Sequence, residues 1–156
     1  MKIDIEQAGP RDQQNILDLI AACGLPEAGL RHHLDAAVVA RADDRIVACA
    51  SLELYGDGAL LRSVAVAHTM RGSGVGRRIV QAALALANER GAASVYLLTT
   101  TAEHFFPKFG FAPVSRDEVP PGVRQSVEFQ SACPASAVVM GLAAPRIAHA
   151  RADCQR

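Results

Sequence analysis

The chain has 156 residues, half of them hydrophobic and 21% charged, which is enough to bury one sizeable core and too few for two. Sixteen basic residues balance sixteen acidic ones, so no overall positive field exists to attract a nucleic acid or an anionic membrane. The cysteines Cys23, Cys49, Cys133 and Cys154 lack any C-x-x-C pairing, which argues against a zinc site or a disulfide framework and fits a reducing, cytoplasmic setting.

The start, "MKIDIEQAGP", carries no signal-like apolar stretch, and no segment approaches membrane-spanning length. "IDIE" alternates as a strand, and apolar residues at 16, 17, 19, 20 and 23 then predict an amphipathic helix ending at Gly24. A short helix is expected across "PEAGLRHHL". On it His32 and His33 would point about 100° apart, so they read as surface histidines rather than a metal pair. "AAVVARA" and "RIVACASLEL" form a hairpin around "DD", and after the turn "YGDG" a third strand runs over 59–66. From Gly74 the period changes to that of a helix, with Val75, Ile79, Ala82, Ala83 and Leu86 on one face, ending at Gly91. The strand "SVYLLTT" (94–100) follows, then a short helix over "AEHFFPKFG", a strand "FAPVS" and a last strand over 135–142. The proline-rich last third is expected to shape a pocket rim more than a core, and residues 143–156 a mobile tail after a single domain spanning 1–142. Alternating strands and helices with both hairpins and crossovers predict an α/β (α+β) domain on a mixed sheet.

The stretch "VAHTMRGSGVGRRIV" (66–80) puts three glycines at a strand-to-helix junction. A P-loop needs Lys and Ser or Thr after its last glycine, and here Arg77 and Arg78 follow Gly76. A dinucleotide fingerprint needs a third glycine where Arg77 stands. What remains is Arg71-x-x-Gly74-x-Gly76, whose unpaired N–H groups at a helix start suit a diphosphate. Arg71 and Arg77 would add charge-assisted contacts. A glycine-rich turn that merely starts a helix is the plainer alternative.

This pattern resembles the acyl-CoA loop of the GNAT acetyltransferase superfamily, and "LLRSVAV" and "AEHFFPKFGF" resemble its central strand and its later Gly-Phe signature. The likeness runs over 1–142 and implies a sheet of about six to seven strands, flanked by helices and splayed between 59–66 and 94–100. It also implies acetyl-CoA as co-substrate, held by Arg71, Gly72, Ser73, Gly74, Val75, Gly76 and Arg77 at the diphosphate and by Val64, Ala65 and Val66 along the pantetheine arm. The Val64 N–H would polarise the thioester carbonyl. "YGDGALLRS", "VYLLTTTAEHFFPKFGF" and "CPASA" are similar to two branches: small acetyltransferases of arsenic resistance, more closely, and the acetyltransferase unit of N-acetylglutamate synthases. Both imply a glutamate-like amino-acid acceptor, such as arsinothricin for the first. A homodimer is compatible with this reading, and no metal is expected.

Many members of the superfamily carry a tyrosine four residues before the Gly-Phe glycine as the acid; here it is Phe106. Tyr55 and Tyr96 are the other tyrosines, and Tyr55 is the candidate acid unless water protonates the thiolate or it leaves unassisted. Glu53, at the end of a strand, is the candidate base; Glu103 fits a capping box with Thr100, and His104 reads as exposed. A non-catalytic acyl-CoA-binding module is the rival that Phe106 motivates. Arg62 shares side-chain parity with Leu60 and Val64 on an apolar strand, so it calls for a carboxylate, a substrate's or the protein's own, and it is expected to hold an acid group of the acceptor. Thr99, Arg116, Arg124 and Ser126 are further acceptor candidates, and Cys133 reads as core-facing or incidental. Pro107 must interrupt the helix after Thr100 unless that helix starts late.

Overall fold

The computed structural model describes residues 2–132 and 136–143. Cys133 and residues 144–156 of the expected tail lie outside the described residues, while Ala143, expected to begin that tail, ends the last strand. Seven strands, β1 (Ile3–Gln7), β2 (Ala37–Ala42), β3 (Arg45–Tyr55), β4 (Gly58–Val66), β5 (Ser94–Thr99), β6 (Ala112–Pro113) and β7 (Val138–Ala143), form one sheet in the order β1-β2-β3-β4-β5-β7-β6. All neighbours are antiparallel except β4 and β5, which the helix α2 (Val75–Glu89) connects. The sheet is therefore mixed, as hairpins plus one crossover require.

Local chemistry sets most of these elements. The "DD" turn has Asp43 and Asp44 at φ 51° and 66°, the two positive values a two-residue hairpin loop needs. Val75, Ile79, Val80, Ala83, Leu84, Leu86 and Ala87 of α2 are buried against Val38, Ala40, Ala50, Leu52, Leu61 and Leu97 on one face of the sheet. The helix α1 (Gln13–Ala22) buries Ile16, Leu17 and Ile20 with Val39, Cys49 and Ala65 on the other face. Each such fully buried aliphatic side chain contributes roughly 1.5–3 kcal/mol.

Several expectations are corrected. The segment "PEAGLRHHL" forms 3-10 turns at Leu30–His32 and Leu34–Ala36 and no α-helix. After β5 the helix does start late, as a 3-10 turn over Phe106–Phe109 with Pro107 in its first turn, where a missing N–H is tolerated. Thr99, not Thr100, caps the preceding turn: its Oγ1 accepts from the N–H groups of Ala102 (2.9 Å) and Thr101 (3.4 Å). "FAPVS" is reduced to the two residues of β6. The last third is more than a rim, because Val119 and Val123 pack with Leu60 and Val139, while Ser126 and Glu128 are buried. The short helix α3 (Pro121–Arg124) carries Val123 there, tied to the β3–β4 turn by the Gly122 N–H donating to Asp57 at 2.7 Å.

The parity argument for Arg62 also fails, for a specific reason. Cys49 pairs with Ala65 and Ser51 with Arg62, so Ala50 alone faces both Ser63 and Val64. This β-bulge, with Ser63 at φ 58°, reverses the alternation along β4. Val64 and Val66 consequently join the α2 face, whereas Arg62 points to the face of Glu53 and Ser51.

Candidate active site

Strands β4 and β5 pair through Ala59 with Val95 and Leu60 with Tyr96, then diverge. A cavity of about 790 Å³ opens where they part, lined by Arg62 to Val64 and Val66 from β4, Leu97 to Thr99 from β5, and the glycine loop. Gly24, Leu25 and Pro26 close one side, with Phe105, Phe106, Lys108 and Glu128 completing the wall. Arg62, Val64, Val66, Thr99 and the glycine loop therefore meet in one space.

At the loop end, Gly72 and Gly74 sit at φ 82° and 88°, with Gly74 as the N-cap of α2. Nothing lies within 4 Å of a Cβ built on either, so backbone conformation rather than crowding demands glycine there. The Ser73 N–H donates to the Met70 carbonyl at 3.2 Å, and the Val75 N–H reaches Ser73 Oγ at 3.4 Å. The N–H groups of Gly72, Gly74, Gly76 and Arg77 have no hydrogen-bond partner among the described residues. Arg71 and Arg77 are exposed beside them. Positive φ values followed by a helix start make such a concavity a receptor for phosphate oxygens. Of the predicted pantetheine contacts, Val64 and Val66 line the cavity, whereas Ala65 is buried against α1.

At the opposite end the chemistry is that of buried charge. The Arg62 side chain is fully buried; Nη1 donates to Glu53 Oε2 at 2.8 Å and to the Ala28 carbonyl at 2.7 Å, and Nη2 to the Pro26 carbonyl at 3.0 Å. Its Nε lies 3.3 Å from Glu128 Oε1 and 3.2 Å from Ser63 Oγ. The carboxylates that answer Arg62 thus belong to the protein itself. Glu53 is 1% exposed and also accepts from the Tyr55 hydroxyl at 2.5 Å. Burial alone pushes the Glu53 carboxyl up, but hydrogen bonds from Tyr55, Arg62 and Ser126, with His33 3.8 Å away, outweigh it and hold the carboxyl below its ordinary value. Burial and the Glu53 carboxylate push the Tyr55 phenol above its usual value.

Those facts change two assignments made from sequence. Neither Glu53 nor Tyr55 lies on the cavity wall, and a phenol already donating to a carboxylate, with a raised pKa, is a poor proton donor to a departing thiolate. Of the other acceptor candidates, Thr99 lies on the wall, Ser126 is buried in the Glu53 and Tyr55 network, Arg116 covers the Phe129 ring at 5.8 Å, and Arg124 is exposed away from the wall. Phe106 occupies the wall within a cluster of Phe105, Phe109 and Phe111. Glu128 and the bulge residue Ser63 were not found from sequence: no periodicity marks a π turn over Glu128–Ala132, and a serine gives no warning of a positive φ.

A mixed sheet parted between two parallel strands, with a phosphate-receptive loop at one end of the gap, defines an acyl-CoA-binding transferase fold. Residues 33–113 match the acetyltransferase (GNAT) domain family, more than half of the chain, and the chain belongs to that family. A curated relative, the amino-acid acetyltransferase of Escherichia coli (strain K12), is 27% identical over 128 residues; the match takes in 81% of this chain and 28% of the relative's length. The fold is shared with N-acetylglutamate synthase from Neisseria gonorrhoeae complexed with coenzyme A and N-acetyl-glutamate, with TM-score 0.77 and 21% identity over 92% of this chain and 35% of that one. Rv2747 from Mycobacterium tuberculosis, solved in complex with CoA, gives TM-score 0.75 and 23% identity over 90% and 98% of the two chains. No helix among the described residues is long and apolar enough to cross a membrane.

Proposed function

We propose that this chain transfers the acetyl group of acetyl-CoA to the α-amine of a small acidic amino acid, a glutamate or a glutamate analogue of the arsinothricin or phosphinothricin type. The observation that carries the transfer is the single cavity joining the open N–H groups of Gly72, Gly74, Gly76 and Arg77 to the diverging edge of β4. The diphosphate rests on the loop, with Arg71 and Arg77 beside it, and the arm runs past Val64 and Val66. Holding thioester and amine in one cleft supplies much of the rate by orientation.

The acceptor class is supported by the kinship with amino-acid acetyltransferases and by the charges at the far end. Arg62 and Glu128 stand 3.3 Å apart at the wall, opposite charges that a zwitterion complements when its carboxylate takes the place of Glu128 on Nε. The likeness in "YGDGALLRS" and "CPASA" supports a branch serving arsenic resistance. Phe106 favours a second reading, a module that binds acyl-CoA without turnover, because it offers no proton to the leaving sulfur.

Release of CoA thiol with glutamate, phosphinothricin and arsinothricin side by side separates these readings. Turnover with an analogue above that with glutamate supports the arsenic branch, and the reverse order supports an N-acetylglutamate synthase. Acetyl-CoA binding without thiol release on any of the three overturns the catalytic reading.

A further inference from the structure

Arg62, on β4, spends much of its guanidinium on the main chain of another element. Nη1 donates to the Ala28 carbonyl at 2.7 Å and Nη2 to the Pro26 carbonyl at 3.0 Å, and both carbonyls belong to the segment between α1 and the turn at Leu30–His32. That segment closes one side of the cavity with Gly24, Leu25 and Pro26. Its ends are secured locally: the Leu25 N–H donates to the Ile20 carbonyl at 3.1 Å, and the N–H of the buried Leu30 to the Glu27 carbonyl at 3.0 Å. Between those ends it joins no strand, and among the described residues neither the Pro26 nor the Ala28 carbonyl has another donor. Gly29 turns the chain there at φ 76°, a backbone that disfavours any side chain, with Val127 and Arg62 Nη1 beside it.

Building on the acetyl-transfer reading, we infer that Arg62 is a positioning residue: it clamps the main chain of residues 26–28 to β4, and the wall so fixed is the one against which the acceptor is placed. With the diphosphate on the glycine loop and the arm along Val64 and Val66, the space left for an acceptor lies toward Leu25 and Pro26. The clamp is rooted in the sheet, because Nη1 also meets Glu53 Oε2 at 2.8 Å and Glu53 takes the Tyr55 hydroxyl. Bonds from a buried guanidinium to carbonyls are charge-assisted, about twice as strong as neutral ones. A planar fork is what the joint requires. Lysine would keep the charge, yet its single nitrogen cannot reach two carbonyls and Glu53 in that geometry.

Two variants of the full chain test this. Arg62→Lys keeps the charge and removes the fork, whereas Gly29→Ala leaves the guanidinium in place and strains the segment it holds. In the free protein, hydrogen exchange of the Leu25 and Leu30 amides should quicken about tenfold in both, as the loss of one charge-assisted bond implies, while α2 amides keep the parent rate. In thiol release with whichever of glutamate, phosphinothricin or arsinothricin turns over, the acceptor kcat/KM should fall about tenfold in both, with the acetyl-CoA KM within about twofold of the parent. A merely structural loss would instead lower kcat with both KM values unchanged. Unchanged exchange at Leu25 and Leu30 in Arg62→Lys overturns the clamp. An acceptor kcat/KM unaltered in Gly29→Ala, or a fall in kcat alone, overturns the acceptor role. Should Arg62→Lys fail to fold, seen as α2 amides exchanging as well, Gly29→Ala decides by the same two readings. A parent that releases no thiol with any of the three overturns the transfer reading and the acceptor role with it, and exchange still decides the clamp.

Discussion

The two ends of the cavity are built on opposite principles. The loop end is exposed main chain, with glycines at positive φ leaving N–H groups open and two arginines in solvent beside them. The opposite end is buried side chain: the Arg62 guanidinium lies between Glu53 and Glu128. The loop end keeps N–H groups without partners among the described residues, whereas the far end buries charges beside one another. Binding strength should therefore be tunable at the loop with a smaller loss of stability than at the other end, where stability should fail first.

The sharpest break in that contrast is Arg62→Met. It strands two buried carboxylates and should cost about 3–5 kcal/mol, read as a drop in the thermal midpoint. A midpoint within a degree of the parent would mean that the acceptor end is not held by its ion pairs. Gly74→Val should act the other way round. A β-branched residue at φ 88° costs roughly 1–2 kcal/mol, yet acetyl-CoA affinity by titration calorimetry should fall more than tenfold, because the loop loses its concavity. Unchanged affinity would remove the loop assignment.

Acid offers a gentler probe of the same difference. Glu53 and Asp12 both have lowered carboxyl pKa values: hydrogen bonds outweigh burial at Glu53, while the Arg41 hydrogen bond chiefly lowers Asp12, at 2.7 Å. A carboxyl lowered on folding adds stability that is whole above its unfolded pKa and fades as pH falls through the folded one. The thermal midpoint should hold down to about pH 4 and then decline. Glu53→Gln should flatten that decline, and an identical slope would show that acid acts elsewhere.

The glycine loop was legible because everything that shapes it is local. Arg71-x-x-Gly74-x-Gly76 at a change of period announces both the left-handed backbone and the helix start, and the structure places both there. The hairpin at Asp43 and Asp44, the α2 face and the divergence after β4 were legible for the same reason or through family likeness. Arg62 was read as needing a carboxylate, a correct demand from burial energetics, but the expected supplier was an acid group of the acceptor, whereas Glu53 and Glu128 of the protein itself lie against it. Ser63 defeated the parity argument: a serine at φ 58° is held by tertiary contacts, with Arg62 Nε on its hydroxyl and the Cys49 thiol on its carbonyl at 3.4 Å. Burial pushes that thiol up to about 12, which keeps it protonated and donating.

The amino-acid sequence by itself determined the order of strands and helices, which helical faces are buried, and the left-handed glycine backbone at the start of α2. Periodicity and glycine placement act over a few residues and need no distant partner. Only the tertiary structure decided which carboxylates neutralise Arg62, which of them reaches the cavity, and that the Tyr55 hydroxyl donates a hydrogen bond to Glu53. Residues 53, 62 and 128 lie far apart along the chain, and the interaction of charges depends on their separation in space and on the water excluded around them.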